Sequence, residues 1–195
     1  YMWGLGSENP ASETIIQELD AEHVDTTYVE LKPEYEAGYS VVLIATNGER
    51  TILNHKGKSF TKSNHSINTQ AIKDADWVYP TSLGDKSLSI LREIVDCAEE
   101  NDTKVMLNPS GWELAEPKKL AALLESVDVL CVNKEEMQLL VEGSSMEELV
   151  RHGLHHVPVV IVSDGPNGVV ASDGKTIISA GMYEDVKVVD RLGAG

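Results

Sequence analysis

The sequence predicts an α/β fold in which helices cover both faces of a mostly parallel sheet, with a small antiparallel β extension. Strand-like and helix-like segments alternate from Asp76 to Leu154, which implies right-handed crossovers and a parallel sheet. The segment Val129-Leu130-Cys131-Val132 is apolar at every position, as in a central strand buried on both faces. Residues 26–55 instead have the pattern of strands joined by a tight turn.

The first helix is predicted directly after a polar cap. Ser7-Glu8-Asn9-Pro10 opens a helical pattern that ends near His23, and either Ser7 or Asn9 can serve as the N-cap. We assign this helix to the α/β core, which comprises residues 1–25 and 57–195 and is expected to be incomplete at both ends.

Residues 26–56 are assigned to the β extension. Its first segment, 26–29, is rich in residues that favour strands. Two further strands, 39–46 and 50–54, flank Asn47-Gly48, a dipeptide that favours a hairpin turn. We therefore predict that the whole extension is antiparallel.

The core elements follow a polar loop at 56–68. Strands are expected at 76–79, 104–107, 127–132, 157–162, 169–171, 176–179 and 186–189. Helices are expected at about 85–100, through 120–124, from 134 onward and at 147–154. Asp-Gly turns at 164–165 and 173–174 separate the short strands near the end.

Composition excludes several classes of partner. The net charge of −16 comes from 32 acidic and 16 basic residues, which disfavours nucleic acid and anionic membranes as partners. A solvated acidic surface explains this excess, and adaptation to high salt is the alternative. Cys97 and Cys131 fall in a helical and a strand pattern, which predicts buried thiols without a disulfide. With no signal peptide and no apolar stretch long enough to span a bilayer, we expect a cytoplasmic protein.

The last ten residues have the pattern of a phosphate cradle. A β-branched strand at 186–189 leads through Asp190 to Gly193-Ala194-Gly195. Glycines allow backbone N–H groups to approach an anion closely, and a following helix would add its positive dipole end. Simple chain reversal is the equal alternative. We expect the chain to be part of a longer polypeptide, because the side chain that such a cradle serves would follow Gly195.

Asn133-Lys134-Glu135-Glu136 follows a predicted strand, at the sheet edge where open α/β folds bind ligands. Asn133 can cap the next helix while Glu136 accepts from the cap N–H, which is a sufficient structural explanation. In the functional alternative, Glu136 orders water around Mg²⁺ and Asn133 contacts a phosphate oxygen.

Two other turns occupy the same predicted edge. Ser163-Asp164-Gly165-Pro166-Asn167-Gly168 fits an ordinary hairpin, or a hydroxyl and flexible backbone beside a nucleotide. Asn108-Pro109-Ser110-Gly111 is interpreted mostly as a turn. His152 and His156 have helical spacing, but no further ligand completes a zinc pattern. Gly57-Lys58-Ser59 lacks the upstream glycine of a phosphate loop.

Taken in order, these segments resemble the ribokinase-like carbohydrate kinase family, also called the phosphofructokinase B family. Val188–Gly195 resembles its second signature, which is Asp-Thr-Thr-Gly-Ala-Gly-Asp in many members, with Leu192 in place of a threonine. Asn133–Glu136 resembles its Asn-x-x-Glu motif, and Ser163–Gly168 is similar to its Thr-x-Gly segment. The remaining similar segments are a lid turn at 48–51, the stretch 3–22 and the Asn-Pro turn within 105–113.

The resemblance implies a three-layer α/β/α ribokinase-like fold, with a mostly parallel sheet and with residues 26–56 as a β lid. It implies ATP-dependent phosphorylation of a hydroxymethyl group on a sugar, with Mg²⁺ and a monovalent cation such as K⁺. The exposed strand edges of the lid suit a homodimer. A nucleoside kinase of the same family is the alternative, and a non-catalytic nucleotide- or sugar-binding module is the alternative from another class.

The resemblance also implies residue roles. The amides of Gly193, Ala194 and Gly195 would stabilise the moving phosphoryl group, and an aspartate after Gly195 would accept the substrate proton. Little turnover is therefore expected from a chain that ends at Gly195. Glu136 would order the water around Mg²⁺, and Asp190 would help to bind the monovalent cation. Glu49 would bind a sugar hydroxyl, or it is a solvated charge on the hairpin. The residues implied in nucleotide binding are Asn133, Ser163, Gly165, Gly168 and Arg191.

Overall fold

The computed structural model describes residues 2–36, 38–45, 50–55, 57, 67–81, 83 and 87–182. These residues divide into two units, one within residues 1–71 and the other within residues 72–187. The predicted turn at 47–48 and the predicted strand at 186–189 lie outside the described residues. The assignment of 26–56 as a separate lid stays a prediction.

The first unit begins with a β–α–β arrangement. Strand β1 (Met2–Gly6) is followed by helix α1 (Pro10–Ala21) and strand β2 (Tyr28–Lys32). The side chain of Asn9 accepts a hydrogen bond from the Ala11 N–H at 3.0 Å, so Asn9 is the cap and Ser7 is not.

Strand pairing in this unit corrects the prediction of a wholly antiparallel extension. β2 pairs in parallel with β1, with Met2 opposite Tyr28 and Gly6 opposite Lys32. The intervening helix reverses the chain, so the two strands run in the same direction. The antiparallel prediction is confirmed for β3 (Tyr39–Ile44) and β4 (Arg50–His55), where Val42 lies opposite Ile52.

The described residues of the second unit contain a six-stranded sheet in the order β10-β9-β8-β7-β6-β5. Neighbours from β5 to β8 are parallel, and β9 and β10 are antiparallel additions. The strands are β5 (Trp77–Val78), β6 (Lys104–Leu107), β7 (Val129–Asn133), β8 (Val159–Ser163), β9 (Val169–Ser172) and β10 (Ile177–Ala180). The helices are α2 (Thr69–Lys73), which begins in the first unit, α3 (Ser87–Glu100), α4 (Gly111–Leu114), α5 (Pro117–Leu124), α6 (Lys134–Leu140) and α7 (Met146–Gly153).

The predicted alternation of strands and helices is confirmed, and β7 lies inside the sheet between β6 and β8. Leu130 and Val132 are fully buried, while Val129 and Cys131 are half-buried, so one face of β7 is more covered than the other. The short helices α2 and α4 were not predicted, because four or five residues show too little of a helical period.

Helices close the core by packing directly on the sheet. α7 lies against β8 and β9, and α3 lies against β6. A Cβ at Gly153 would come within 2.2 Å of the Met137 Cε and 3.1 Å of a Val160 methyl, so the small residue permits this close approach. Among the described residues, no helix combines the length and apolarity required to cross a bilayer.

Candidate functional site

Several of the predicted site residues meet at the carboxyl ends of two neighbouring strands. Asn133 is the last residue of β7 and Ser163 is the last residue of β8, and the two are direct register partners. Glu136 follows in the first turn of α6, and Gly165 and Gly168 follow in the turn after β8. In open parallel sheets this edge is where ligands bind.

Asn133 and Glu136 form the predicted capping box. The Asn133 Oδ1 accepts from the Glu136 N–H at 2.8 Å, and the Glu136 Oε2 accepts from the Asn133 N–H at 2.9 Å. The Asn133 side chain is exposed and Glu136 is half-buried. The cap therefore engages one atom of each side chain, Oδ1 of Asn133 and Oε2 of Glu136, and leaves the Asn133 amide donor Nδ2 and the Glu136 Oε1 outside the capping box.

The turn between β8 and β9 requires its glycines for different reasons. Residues 165–167 form a single 3-10 turn, in which the Asn167 N–H donates to the Asp164 carbonyl at 2.9 Å. The Asp164 N–H donates to the Gly168 carbonyl at 2.8 Å and joins the two ends of the loop. Gly165 and Gly168 have φ of +49° and +89°, values that other residues adopt at a cost. A Cβ at Gly168 would also come within 2.1 Å of the Ala180 carbonyl oxygen, whereas one at Gly165 would meet nothing within 4 Å.

An ion pair joins these two segments, and the sequence did not predict it. The Lys134 Nζ lies 3.1 Å from the Asp164 Oδ2, which also accepts from the Asn167 Nδ2 at 3.1 Å. The hydrogen bonds from Asn167 and then Lys134 lower the pKa of Asp164. Lys134 and Asp164 each directly follow a register partner, Asn133 or Ser163. The pairing becomes predictable only once the strand register is known.

The segment 108–111 was interpreted as a turn, and the structure shows that it also caps helix α4. Ser110 and Glu113 form a second capping box, in which the Glu113 Oε2 accepts from the Ser110 N–H at 2.8 Å and from its hydroxyl at 2.7 Å. Glu113 is only 1% exposed. The spacing Ser-x-x-Glu is a sequence signal of such a cap and could have revealed it.

Asn108 links the ends of three strands. Its N–H donates to the Pro80 carbonyl at 3.1 Å after β5, and its Nδ2 donates to the Cys131 carbonyl at 2.9 Å in β7. Burial raises the pKa of the Cys131 thiol, so this thiol is protonated at neutral pH and is a poor nucleophile. The contacts of Asn108 are structural.

Six predicted site residues fall outside the described residues: Glu49, Asp190, Arg191, Gly193, Ala194 and Gly195. Their roles stay predictions, and so does the phosphate cradle that three of them were expected to form.

The carboxylate of Glu136 fits a Mg²⁺ ion that is held partly by water and by phosphate. Within the described ranges, no three His, Cys, Asp or Glu side chains converge to hold a metal ion. Mg²⁺ usually keeps several waters and takes one or two carboxylates beside substrate phosphates. Glu136 follows the carboxyl end of β7 and keeps Oε1 outside the capping box, so it meets that requirement.

Comparison with known proteins identifies the family and the fold. The sequence profile of the pfkB family carbohydrate kinase matches residues 6–195. No curated protein sequence matches the chain. Solved structures with the same fold include ribokinases and a nucleoside kinase, which shows a ribokinase-like α/β fold.

Three of these structures illustrate the similarity. A putative ribokinase II from E. coli in complex with ATP and Mg²⁺ has a TM-score of 0.81 and 20% identity over 99% of this chain and 65% of that chain. Arabidopsis thaliana ribokinase complexed with ribose and ATP has a TM-score of 0.80 and 23% identity, over 99% of this chain and 64% of that chain. Burkholderia thailandensis nucleoside kinase in complex with inosine has a TM-score of 0.72 and 16% identity, over 98% of this chain and 62% of that chain. The chain thus spans less than two thirds of each of these proteins.

Proposed function

Because the chain belongs to the pfkB family of carbohydrate kinases, we propose that the complete protein transfers the γ-phosphoryl group of ATP to a hydroxymethyl group of a sugar. The observation that carries this proposal is the register pairing of Asn133 with Ser163. It brings the Asn-x-x-Glu segment and the Ser-Asp-Gly segment to one edge of the sheet. Two segments that are 30 residues apart in the sequence can then act on one nucleotide.

The capping box supports a specific assignment of the atoms of Asn133 and Glu136 that act on the nucleotide. The Asn133 Oδ1 is engaged by the Glu136 N–H, so its Nδ2 is the donor that binds a phosphate oxygen. The Glu136 Oε2 is engaged by the Asn133 N–H, so Oε1 orders the water shell of Mg²⁺. When bound, Mg²⁺ neutralises phosphate charge. The cap thereby holds both side chains in place before the nucleotide arrives.

The other assignments follow the family motifs. Ser163, Gly165 and Gly168 bind the nucleotide, and Arg191 contacts a phosphate. The backbone N–H groups of Gly193, Ala194 and Gly195 stabilise charge on the transferring phosphoryl group. Asp190 supports a monovalent cation such as K⁺, and Glu49 binds a sugar hydroxyl. An ATP-dependent reaction and two free thiols, Cys97 and Cys131, fit a reducing compartment, which we take to be the cytoplasm.

Residues 26–56 form a lid in this proposal, and a homodimer forms through it. Apolar side chains of β3 and β4 support this assignment, because Val41, Leu43 and Leu53 are each about half exposed or more. Sedimentation of the complete protein should give a dimer, and Leu53→Ser should shift it toward the monomer. An unchanged mass for the variant, or a monomeric wild type, would rule out the lid as the interface.

A nucleoside is the second candidate acceptor, favoured by the structural similarity to a nucleoside kinase in complex with inosine. ADP formation by the complete protein, measured with Mg²⁺ over a panel of sugars and nucleosides, separates the two. The expected result is Mg²⁺-dependent ADP formation that is fastest with a sugar. Nucleotide binding without ADP formation from any acceptor would favour the non-catalytic binding module.

Glu136→Gln tests the assignment of the carboxylate. The amide can still accept the cap hydrogen bond but cannot order the water of Mg²⁺ as strongly, so kcat should fall about 10- to 100-fold, the range for residues that act on a metal through its outer shell. Glu135→Gln removes a charge from the same turn and should change kcat little. An equal fall in kcat for the two variants would show that Glu136 has no specific role at the site.

A further inference from the structure

The proposed nucleotide edge carries an excess of negative charge. Residues 133–136 and 163–168 contain three carboxylates, Glu135, Glu136 and Asp164, and one cationic side chain, Lys134. Glu136 has a role toward Mg²⁺ in the proposed function, and Asp164 has none. A polyphosphate that approaches this edge therefore meets an anionic group at the start of the β8–β9 turn, and like charges in proximity repel.

Lys134 is placed to cancel that charge. Its ammonium lies 3.1 Å from the Asp164 Oδ2, and the two side chains are 32% and 26% exposed, so water screens the pair only partly. The Asn167 Nδ2 donates to the same oxygen at 3.1 Å. Donors from the start of α6 and from the turn thus converge on one carboxylate.

We propose that Lys134 is a positioning residue that neutralises Asp164 and so permits nucleotide phosphates to approach the β8–β9 turn. It acts through Asp164 and does not touch the nucleotide. This inference rests on the proposed function, which assigns this edge to ATP.

The chain contains a matched ion pair at the other end of the sheet. The Lys104 Nζ lies 2.8 Å from the Asp128 Oδ1, at the amino ends of β6 and β7. The chemistry is the same, lysine with aspartate on neighbouring segments, but the pair lies at the edge opposite the proposed nucleotide. Lys104→Met is therefore the control for Lys134→Met.

The test is equilibrium binding of the non-hydrolysable analogue AMP-PNP with Mg²⁺ to the complete protein. The proteins compared are the wild type, Lys134→Met, Asp164→Asn, the double variant and Lys104→Met. Lys134→Met should raise the Kd about fivefold, the upper range for one partly exposed ion pair. The double variant should stay close to the wild type, because it carries no charge at either position. Asp164→Asn leaves the charge of Lys134 uncancelled, so it should bind at least as tightly as the wild type. Lys104→Met should also match the wild type.

Added choline chloride should shrink the difference between Lys134→Met and the wild type, since salt screens the repulsion. An organic cation avoids any effect on the proposed K⁺ site. Circular dichroism and the unfolding midpoint of each variant separate a loss of fold from a loss of affinity.

Three results would overturn the inference. A loss that persists when Lys134→Met is combined with Asp164→Asn would show that Lys134 contacts the nucleotide directly. A loss of equal size in Asp164→Asn alone would show that the pair is a structural link and not a charge shield. Failure of the wild type to bind Mg²⁺ and AMP-PNP would overturn the proposed function itself, and this inference with it.

Discussion

Strands β7 and β8 in the core sheet and strands β3 and β4 in the hairpin have similar aliphatic sequences but opposite environments. Leu130 and Val160 in the core strands are 0% exposed. Leu43 and Leu53 in the hairpin are 53% and 57% exposed. Composition predicts a strand in both places, and only one of the two is covered.

The difference follows from what surrounds each pair. β7 and β8 have strands on both sides and helices packed on them, whereas β3 and β4 form a sheet of two strands in the described chain. A two-stranded hairpin buries little of its own side chains. The same residue type should therefore have different energetic consequences in covered and uncovered positions.

The largest expected effect is on the core leucine. Leu130→Ala should lower the free energy of unfolding by about 4 kcal/mol, because it removes fully buried methyl groups and leaves a cavity. Leu53→Ala in the hairpin should lower it by less than about 0.5 kcal/mol in the monomer, where Leu53 is exposed. Denaturant unfolding followed by circular dichroism, at protein concentrations where the monomer predominates, measures both. Similar losses would mean that Leu53 is covered within the monomer.

Two glycines with similar backbone angles extend the comparison to turns. Gly168 and Gly174 have φ of +89° and +81°, but only Gly168 would place a Cβ against backbone, 2.1 Å from the Ala180 oxygen. Gly168→Ala should lower the free energy of unfolding by about 3 kcal/mol, from backbone strain and steric overlap, and Gly174→Ala should lower it by about 1 kcal/mol, from strain alone. Denaturant unfolding of the two variants measures both losses. Equal losses would show that the backbone angle alone accounts for the destabilisation.

Substitutions in two capping boxes should differ less in their effect on stability. Ser110→Ala removes a hydroxyl that donates to the buried Glu113, whereas Ser145→Ala removes the cap of the exposed start of α7. We expect Ser110→Ala to lower the free energy of unfolding by about 2 kcal/mol and Ser145→Ala to lower it by about 1 kcal/mol. Thermal or denaturant unfolding of both variants measures the two losses. The reverse order would show that burial of Glu113 adds nothing to the cap.

The smallest effect concerns pH at the exposed cap. Hydrogen bonds from the Ser144 N–H and hydroxyl and from the Ser145 N–H lower the pKa of Glu148 from 4.5 to about 2. Because the folded-state pKa is the lower one, the stabilisation is complete above pH 4.5 and is lost as the pH falls toward about 2. The unfolding midpoint of Glu148→Gln should differ from that of the wild type at neutral pH and converge with it in acid. Glu147→Gln, which leaves the capping box intact, should show no such convergence.

Local features were the most predictable from the sequence. Asn9 was named as one of two caps for α1, and the reciprocal bonds of Asn133 and Glu136 were predicted correctly. The strand Lys104–Leu107 has the predicted bounds. Such features depend on residues within one turn or one strand, so their signals lie close together in the chain.

Non-local features were missed or wrong. β2 was expected to be antiparallel, yet it pairs in parallel with β1, which lies more than 20 residues upstream. The ion pair of Lys134 with Asp164 and the burial of Glu113 were not anticipated. Each depends on which segments become neighbours, and the pattern within a segment does not encode its partner.

Hydrophobic period and capping residues are encoded by neighbouring positions in the chain, so the sequence was enough to predict the α/β class and the residues that end the parallel strands. The folded structure was needed to show that Asn133 lies beside Ser163, that Lys134 therefore meets Asp164, and that β7 is buried while β3 is not. Burial and register are properties of packing between distant segments, and they are established when the sheet assembles.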